Sequence, residues 1–360
     1  QMQGKGSSGG VSSLLVTAGI IALASIVAIG AITAVIKLRT SSLEKDIKED
    51  EQQTLIGALW YRENEFIGAN VDFDMDGRVK GVKGRMYDGT DVTIHADKGV
   101  ILATGGYAAN IDLVMKENVY WSPEYLTSST KTTNRSSLQG DGIAMAEAIG
   151  AATTGMGFTQ LMPISWVDNG NLAFGGGNYA CWINPTTGHR FVDEGSERDV
   201  LSLAEFRNGM TVNGTPGVFL EFYNATEMIP GPIQLGEGDF AGRYYRRTIA
   251  ELPALFEELG VTADPATVVE TIRAYDMAVM GQGEYPDVGK AIASRTVGNV
   301  ELNEDGSYNV DSYDLDNTVM TIRLMAPSTH HTMGGIKVDT DRHVLDEEGN
   351  IIEGLYAAGE

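Results

Sequence analysis

The segment Gly99-Val-Ile-Leu-Ala-Thr-Gly-Gly106 is the clearest indication of the fold class, because an apolar run ends there in small residues. Such a run is typical of a strand buried inside a sheet. The glycines behind it allow another backbone or a ligand to approach closely. Short strands are also predicted near the other end of the sequence, at 336–339, 344–346, 351–352 and 355–358. The sequence therefore predicts two separate pieces of one sheet.

Further elements lie between and before these pieces. Strands are predicted at 71–75, 79–82 and 92–95, where Asp76-Gly77 and Asp88-Gly89 supply the hairpin turns. The alternation of apolar residues and turn signals indicates an antiparallel meander. It would precede the buried strand directly.

Three helices are predicted from their end signals. One covers 143–152, an alanine-rich stretch. The second begins at the capping box Thr248-x-x-Glu251 and ends at Gly260. The third begins at Asp264-Pro265, an N-cap followed by proline, and ends near Met280. The region between the two sheet pieces is therefore an α+β insertion.

The composition excludes several classes of protein. Acidic residues outnumber basic ones, 49 to 26, which gives a formal charge of −23. Nucleic acid needs a basic surface, so nucleic-acid binding is not expected. Hydrophobic residues make up 42% of the chain, enough for a packed core. The single cysteine, Cys181, excludes an internal disulfide, a cysteine-rich zinc module and a c-type haem site, and its apolar surroundings predict a buried thiol.

The N-terminal region predicts a membrane anchor. Residues 11–36 carry no charge, and about 20 apolar residues suffice for a transmembrane helix. A signal-peptide core, a buried helix, or a degenerate strand–turn–helix over 14–37 are the alternatives. Residues 1–10 would form a tail and 37–52 a linker. The charges around the segment leave the side of the membrane open.

Four segments carry the recognisable motifs of the chain. In chain order they are Val100-Ile-Leu-Ala-Thr-Gly-Gly-Tyr107, Gly140-Asp-Gly-Ile-Ala-Met-Ala146, Gly188-His-Arg-Phe-Val-Asp-Glu194 through Arg198-Asp199, and Thr329-His-His-Thr-Met-Gly-Gly335 through Gly354-Leu-Tyr-Ala-Ala-Gly-Glu360. Together they resemble the FAD-dependent fumarate reductase and succinate dehydrogenase flavoprotein superfamily, in particular its flavocytochrome c and urocanate reductase branch. The resemblance covers about residues 71–360.

The resemblance implies an α+β fold in which a capping domain interrupts a Rossmann-like FAD-binding domain. The flavin-binding parts would cover 53–154 and 326–360, and the capping domain 155–325. The family's N-terminal Gly-x-Gly-x-x-Gly unit and the Gly-x-Asn-Arg segment behind Ala-Ala-Gly-Glu are missing. We therefore expect an FAD-binding domain that is incomplete at both ends, preceded by a hydrophobic helix.

The resemblance also implies a set of FAD-binding residues. The small residues after the buried strand would let the cofactor approach, and carboxylates would accept hydrogen bonds from its hydroxyl or amide groups. These residues are Ala103, Thr104, Gly105, Gly106, Asp141, His331 and Glu360. A tight turn packed on a helix is the alternative for the loop. The alternative role of Asp141 is that of a helix N-cap, which does not exclude contact with FAD.

Arg198 matches the arginine that serves as general acid in the family. The resemblance implies that a hydride leaves flavin N5 for one alkene carbon while Arg198 protonates the other. The pKa of a guanidinium exceeds about 12, so such an acid must be held against the forming carbanion and resupplied through a proton relay. A surface ion pair between Arg198 and Glu194, four residues earlier, is the alternative.

His330 and His331 are neighbours, and on an extended chain their side chains point to opposite faces. The resemblance assigns His330 to the substrate and His331 to FAD. No metal site is predicted, because no carboxylate lies at ligand spacing. The remaining histidines are expected to be solvated: His95, His189 and His343.

The substrate region departs from the fumarate-reducing members of the family. Met162 stands where they carry a substrate histidine, and Leu172-Ala-Phe-Gly-Gly-Gly177 lacks their relay glutamate and arginine. Met162 and Gly176 are therefore predicted to contact a larger, less charged enoate or an enone. Aromatic residues would either wall this substrate or pack in the core: Tyr107, Trp166, Tyr179, Trp182, Tyr244 and Tyr245.

These motifs predict an FAD-dependent oxidoreductase that reduces an activated C=C bond, with Arg198 as proton donor. Electrons would come from an external partner: a cytochrome, an FMN protein or a quinol-linked donor. The same residues fit the reverse oxidation. Two other hypotheses stay open, a non-catalytic membrane-anchored scaffold subunit and an acidic extracellular binding module.

Overall fold

The computed structural model describes residues 54–55, 66–86, 89–173, 180–223, 242–285, 288, 297 and 300–360. The predicted tail, transmembrane segment and linker lie outside these residues, as do Gly176 and Tyr179. In the described part of the chain, no helix is both long and apolar enough to cross a membrane.

The described residues form strands in five sheets, together with five α-helices. In chain order the strands are β1 (Thr54–Leu55), β2 (Phe66–Met75), β3 (Val79–Met86), β4 (Asp91–His95), β5 (Val100–Leu102), β6 (Thr153–Thr154), β7 (Thr159–Trp166), β8 (Cys181–Ile183), β9 (Met210–Val212), β10 (Thr215–Tyr223), β11 (Tyr245–Arg247), β12 (Glu301–Leu302), β13 (Tyr308–Asn309), β14 (Met320–Thr332), β15 (Gly335–Ile336), β16 (His343–Leu345) and β17 (Ile351–Ala357). The α-helices are α1 (Ile111–Glu117), α2 (Asp141–Ala148), α3 (Arg198–Asn208), α4 (Leu252–Leu259) and α5 (Pro265–Val279), and 3₁₀ turns cover Ile249–Glu251 and Val310–Ser312.

A four-stranded sheet joins the two ends of the described chain. Its strand order is β1-β5-β17-β16, with β1, β5 and β17 parallel and β16 antiparallel. Leu102 pairs with Ala357, so β5 and β17 end at the same edge. This confirms that two distant pieces of sequence build one sheet.

The meander β2-β3-β4 packs against this sheet. Val79 and Val82 of β3 share a buried cluster with Val100, Leu102 and Leu355. The three strands were predicted in nearly these positions. Alternating apolar residues and glycine-containing turns, which are local signals, suffice to specify them.

The larger sheet is built around β14. The order is β11-β14-β10-β8, with β7 also paired to β14 and β9 to β10. Leu220 and Phe222 of β10 pack towards α4 and α5, whereas Phe219 and Tyr223 lie in the cluster that contains Leu201 of α3. The sheet is therefore covered on its two faces by different helices. β14 runs without a break across the predicted domain boundary at 325/326.

Two of the predicted helices differ from the observed ones in their details. The capping box at Thr248 is present but begins a 3₁₀ turn that leads into α4, which ends at the left-handed Gly260. α2 ends at Ala148, earlier than predicted. α5 has the predicted N-cap, since Asp264 accepts the Ala266 N–H at 3.2 Å. The sequence did not predict α3, whose first residue is Arg198.

Candidate functional site

The loop 103–106 lies directly beyond the end of β5, and Glu360 follows the parallel strand β17. Gly106 is packed so closely that a Cβ atom there would collide with Oγ1 of Thr332 and lie 3.4 Å from Oε1 of Glu360. Ala103 and Glu360 are exposed at this edge. In open α/β sheets, ligands bind at the carboxyl ends of the strands.

Thr332 connects the loop to Glu360. Its Oγ1 accepts the N–H of Tyr107 at 3.2 Å, and its own N–H donates to Oε1 of Glu360 at 3.3 Å. The Nε2 of His331 lies 3.8 Å from the other Glu360 oxygen. The loop, β14 and the segment behind β17 therefore meet at one place.

Helix α2 brings Asp141 to the same edge. A Cβ atom on Gly142 would collide with Oγ1 of Thr104, so the first turn of α2 lies against the loop. The N-cap of α2 is Gly140, in a left-handed conformation with φ of 88°, and Asp141 is the first helical residue. The alternative prediction that Asp141 itself caps the helix is therefore wrong. All seven residues predicted to bind FAD lie around this edge, and their contact with FAD stays a prediction.

His330 and His331 do not point to opposite faces. Their rings stack, with centroids 4.1 Å apart and planes inclined by 16°. The reason is a register shift in the pairing of β14 with β7, since Thr329 faces Leu161 and His331 faces Gln160. The extra residue on β14 makes a β-bulge, and a bulge redirects side chains. The two histidines to which the resemblance assigns substrate and FAD contact are thus adjacent side chains, and both roles stay predictions.

His330 is held in its neutral form. Its Nδ1 lies 2.6 Å from Oγ1 of Thr133, and its carbonyl accepts the amide of Asn134 at 2.7 Å. Burial, followed by the charges of His331 and Arg198, lowers the pKa of His330 to about 4. At neutral pH this side chain offers hydrogen bonds but no charge.

Arg198 lies beside this pair of histidines. Its Nη1 donates to Oε1 of Gln160 at 2.8 Å, and the side chain is exposed. Glu194 does not pair with it, because that carboxylate is fully buried and bonded to Arg190, with Nη2 to Oε2 at 2.8 Å. The alternative prediction of a surface pair between Arg198 and Glu194 is therefore wrong.

A cavity of about 370 Å³ opens in front of Arg198. Its walls combine aromatic and apolar side chains with three charged residues. The described residues that line it are Tyr120, Trp121, Phe158, Thr159, Gln160, Leu161, Glu197, Arg198, Asp199 and Met333. Tyr120, Phe158 and Met333 are exposed, and the hydroxyl of Tyr120 donates to Asp199 at 3.2 Å.

Several other residues considered as substrate contacts are not among the described residues that line the cavity. Met162 is 4% exposed and is not among the described residues that line the cavity, so its role stays a prediction. Core packing accounts for four of the candidate wall aromatics, Tyr107, Trp166, Trp182 and Tyr244, all of which are buried. Cys181 is a buried cysteine, as predicted.

His343 is not a solvated histidine. It is partly buried, its Nδ1 lies 2.9 Å from Oδ2 of Asp339, and it packs against Tyr356. Ligand atoms of Asp339, Asp341 and His343 lie within 4.8 Å of one another, a spacing that a metal ion could use. Hydrogen bonds from His343 and from backbone N–H groups to Asp339 account for this arrangement by themselves.

Sequence reasoning missed the residues that hold the site together. Gln160 fixes Arg198, Thr133 fixes His330, and Thr332 joins the loop 103–106 to Glu360. Gln160 lies two residues before Met162, which the family resemblance singled out, so its position was a usable signal. Thr133 lies in a polar stretch without any pattern. Thr332 lies inside the fourth motif segment, but its partners Tyr107 and Glu360 are distant in sequence, so the motif did not reveal its contacts.

Comparison with known proteins identifies the class of this chain. It matches the model of the FAD binding domain over residues 31–360. It is 34% identical over 293 residues to NADH:acrylate oxidoreductase of Vibrio harveyi, covering 79% of this chain and 26% of that protein. It is 31% identical over 300 residues to urocanate reductase of Eggerthella lenta, covering 80% of this chain and 43% of that protein.

The solved structure of a flavocytochrome c3 fumarate reductase in its open conformation has a similar fold. The TM-score is 0.55 and the identity 23%, over 81% of this chain and 46% of that one. The chain thus spans less than half the length of the proteins named here. It belongs to the FAD binding domain family, which confirms the predicted resemblance, and its cofactor is FAD. The family match begins inside the predicted transmembrane segment.

The residues at the sheet edge fit this cofactor. The loop 103–106 presents no large side chain, so a cofactor can approach its backbone. The carboxylates of Asp141 and Glu360 can accept hydrogen bonds from hydroxyl and amide groups. His331, half-exposed beside Glu360, adds a donor at the same place.

Proposed function

We propose that this chain is the flavin domain of a reductase that acts on an activated C=C bond. The observation that carries the proposal is the placement of Arg198. Gln160 holds its guanidinium beside neutral His330, at a cavity next to the edge where the FAD-binding loop lies. Both relatives named above have names that specify enoate substrates, acrylate and urocanate.

Reduced FAD, when bound, supplies a hydride to one carbon of the alkene. Arg198 then donates a proton from its guanidinium to the other carbon, with the N–H bond breaking as the C–H bond forms. The hydrogen bond to Gln160 fixes the direction of the guanidinium, which a positioned acid requires. His330 donates or accepts a hydrogen bond without adding charge.

The cavity favours a substrate with a single carboxylate and an apolar or aromatic body. Arg198 is the one cation among the described lining residues, and Glu197 and Asp199 flank it. A dicarboxylate would require a second cation. Tyr120, Phe158 and Met333 instead offer apolar surface.

To test this, the full chain is loaded with FAD and the flavin is reduced photochemically in the absence of oxygen. Reoxidation of the flavin by 3-phenylacrylate or by fumarate is then followed. We expect a flavin absorbance band and faster reoxidation by 3-phenylacrylate. Faster reoxidation by fumarate would contradict the substrate class. A chain that stays colourless with added FAD would contradict the enzymatic function and support the scaffold hypothesis.

We further propose that the electrons come from an external donor, as the name of the Vibrio harveyi relative specifies for that protein. Membrane attachment through residues 11–36 stays a prediction.

A further inference from the structure

The loop 131–134 lies along strand β14 at the position of His330. Thr132 forms a parallel bridge with Thr329, the residue that precedes His330. One step further along, the side-chain amide of Asn134 donates to the His330 carbonyl at 2.7 Å. The backbone is therefore held by the loop on both sides of Thr329 and His330, and the side chain of the remaining loop residue meets the imidazole.

That residue is Thr133, whose Oγ1 lies 2.6 Å from Nδ1 of His330. Either atom could donate in such a contact, and the distance distinguishes the two cases. N–H donors usually lie about 2.7–3.2 Å from their acceptors, whereas O–H donors lie about 2.5–3.0 Å away. The observed distance falls only in the O–H range. It indicates that the Thr133 hydroxyl donates and that Nδ1 accepts.

The other acceptor near this hydroxyl supports the same assignment. It is the carbonyl of Thr329, and a carbonyl oxygen has two lone pairs. The N–H of Thr133 donates to it at 2.9 Å and the hydroxyl of Thr132 at 3.3 Å, whereas Oγ1 of Thr133 lies 3.4 Å away. Both lone pairs are thus already used, which leaves the Thr133 hydroxyl proton for Nδ1 of His330.

This hydrogen bond determines which ring nitrogen of His330 carries the proton. A neutral imidazole has one N–H group, and a pKa of about 4 makes His330 neutral at pH 7. Because Nδ1 accepts, the proton is on Nε2. No hydrogen bond engages Nε2 within the part of the chain that the structure describes, and the side chain is only half-buried. An uncharged donor is therefore available to a bound molecule beside Arg198.

We propose that Thr133 is a positioning residue that makes His330 a neutral hydrogen-bond donor to the oxygen conjugated with the substrate C=C bond, an inference that rests on the proposed function. An enoate or enone oxygen offers only lone pairs, and it gains negative charge as a hydride adds to the alkene. An Nε2–H group stabilises this charge, as the donors of an oxyanion hole do. The other tautomer would place the Nε2 lone pair against the same oxygen. Thr133 acts through His330 rather than on the substrate itself.

Three variants of the FAD-loaded full chain test this role. Thr133→Val removes the hydroxyl, Thr133→Ser keeps it, and Thr211→Val alters an exposed threonine of β9 as the matched control. We expect Thr133→Val to slow reoxidation of the reduced flavin by saturating 3-phenylacrylate at least about tenfold. Thr133→Ser should restore most of this loss, and Thr211→Val should react at the wild-type rate. FAD affinity, measured by flavin fluorescence, should be the same in all three variants.

A spectroscopic measurement does not depend on turnover. Nitrogen-15 NMR of the wild-type chain at neutral pH, with His330 assigned through His330→Gln, should show a protonated Nε2 and an unprotonated Nδ1. In Thr133→Val the two signals should move towards each other, because both tautomers become populated. In Thr133→Ser they should stay apart.

A protonated Nδ1 in the wild-type chain would overturn the inference. Equal reoxidation rates for Thr133→Val and Thr211→Val would also overturn it while leaving the proposed function intact. A wild-type chain that binds FAD but reduces no enoate would overturn both, whichever tautomer NMR shows.

Discussion

At the scale of single residues, the surroundings of His330 determine its protonation state. Burial and two neighbouring cationic groups lower its pKa to about 4. We predict that NMR will show an imidazole, assigned through the spectrum of His330→Gln, that stays neutral until the pH falls to about 4. In Arg198→Ala the titration should move to higher pH, because one opposing charge is gone. A midpoint near 6.5 in the wild-type chain would contradict the structure.

At Gly106, one added carbon atom is expected to change the affinity for FAD. Gly106→Ala would push its Cβ into Oγ1 of Thr332 and displace the loop from Glu360. We expect FAD affinity, measured by flavin fluorescence, to fall at least about tenfold, or about 1.4 kcal/mol.

Two variants test the cause of this loss. Thr332→Ala in the same chain removes the obstructing oxygen and should restore part of the affinity. Gly283→Ala is the control, since its Cβ would meet no atom within 4 Å. Unchanged affinity in Gly106→Ala would show that FAD binds elsewhere.

At the scale of elements, a buried ion pair joins the loop after β8 to helix α5. Arg190 and Glu194 are both fully buried, and the hydroxyl of Tyr275 donates to Glu194 at 3.4 Å. Glu194→Gln should lower the free energy of unfolding by about 3–5 kcal/mol, because it leaves a buried guanidinium uncompensated.

The matched control is the exposed pair of Arg273 and Asp316, at 2.9 Å. Asp316→Asn should change the free energy of unfolding by less than about 1 kcal/mol. Denaturant unfolding of both variants measures the difference. Equal effects would mean that the Arg190–Glu194 pair is solvated.

Some helices could be predicted from the sequence, whereas others could not. Asp264-Pro265 and Gly260 fix helix ends through local hydrogen bonds and backbone conformation, so α4 and α5 were predictable. The β-bulge beside His330 depends on pairing with a strand far away in sequence, and no local pattern encodes it. Helix α3 was missed because Ser202 and Glu205 occupy its buried face, where an apolar pattern would be expected.

At the scale of the whole molecule, Glu205 should link stability to pH. Its pKa is raised in the folded chain, so folding binds a proton that the unfolded carboxylate lacks above its ordinary pKa. The stability of the wild type should therefore fall as pH rises, relative to Glu205→Gln.

Thermal unfolding at pH 5 and pH 8 tests this linkage. The difference in Tm between wild type and Glu205→Gln should widen at the higher pH, with the variant more stable. Glu270 is an exposed glutamate of α5, so Glu270→Gln should show no such trend. A pH-independent difference for Glu205→Gln would mean that Glu205 is ionised in the folded chain.

The whole-molecule arrangement of the site was only partly predictable. The parallel pairing of β5 and β17 gathers the loop 103–106 and Glu360 at one edge, as two apolar runs ending in small residues predict. The cavity combines side chains from the region after α1, from β7 and from α3, and such packing is not encoded in any one segment. The family motifs located its arginine but not the residues that hold it.

We propose that Arg198 donates the proton in flavin-dependent reduction of a C=C bond, and one kinetic comparison tests this role. The most direct measurement is anaerobic single-turnover reoxidation of the reduced, FAD-loaded chain by 3-phenylacrylate in Arg198→Ala and in Arg207→Ala. Arg207 is an exposed arginine near the other end of the same helix. We predict at least about a 100-fold loss in Arg198→Ala, with FAD still bound, and an unchanged rate in Arg207→Ala. Equal rates in the two variants would contradict the role of Arg198 as the proton donor.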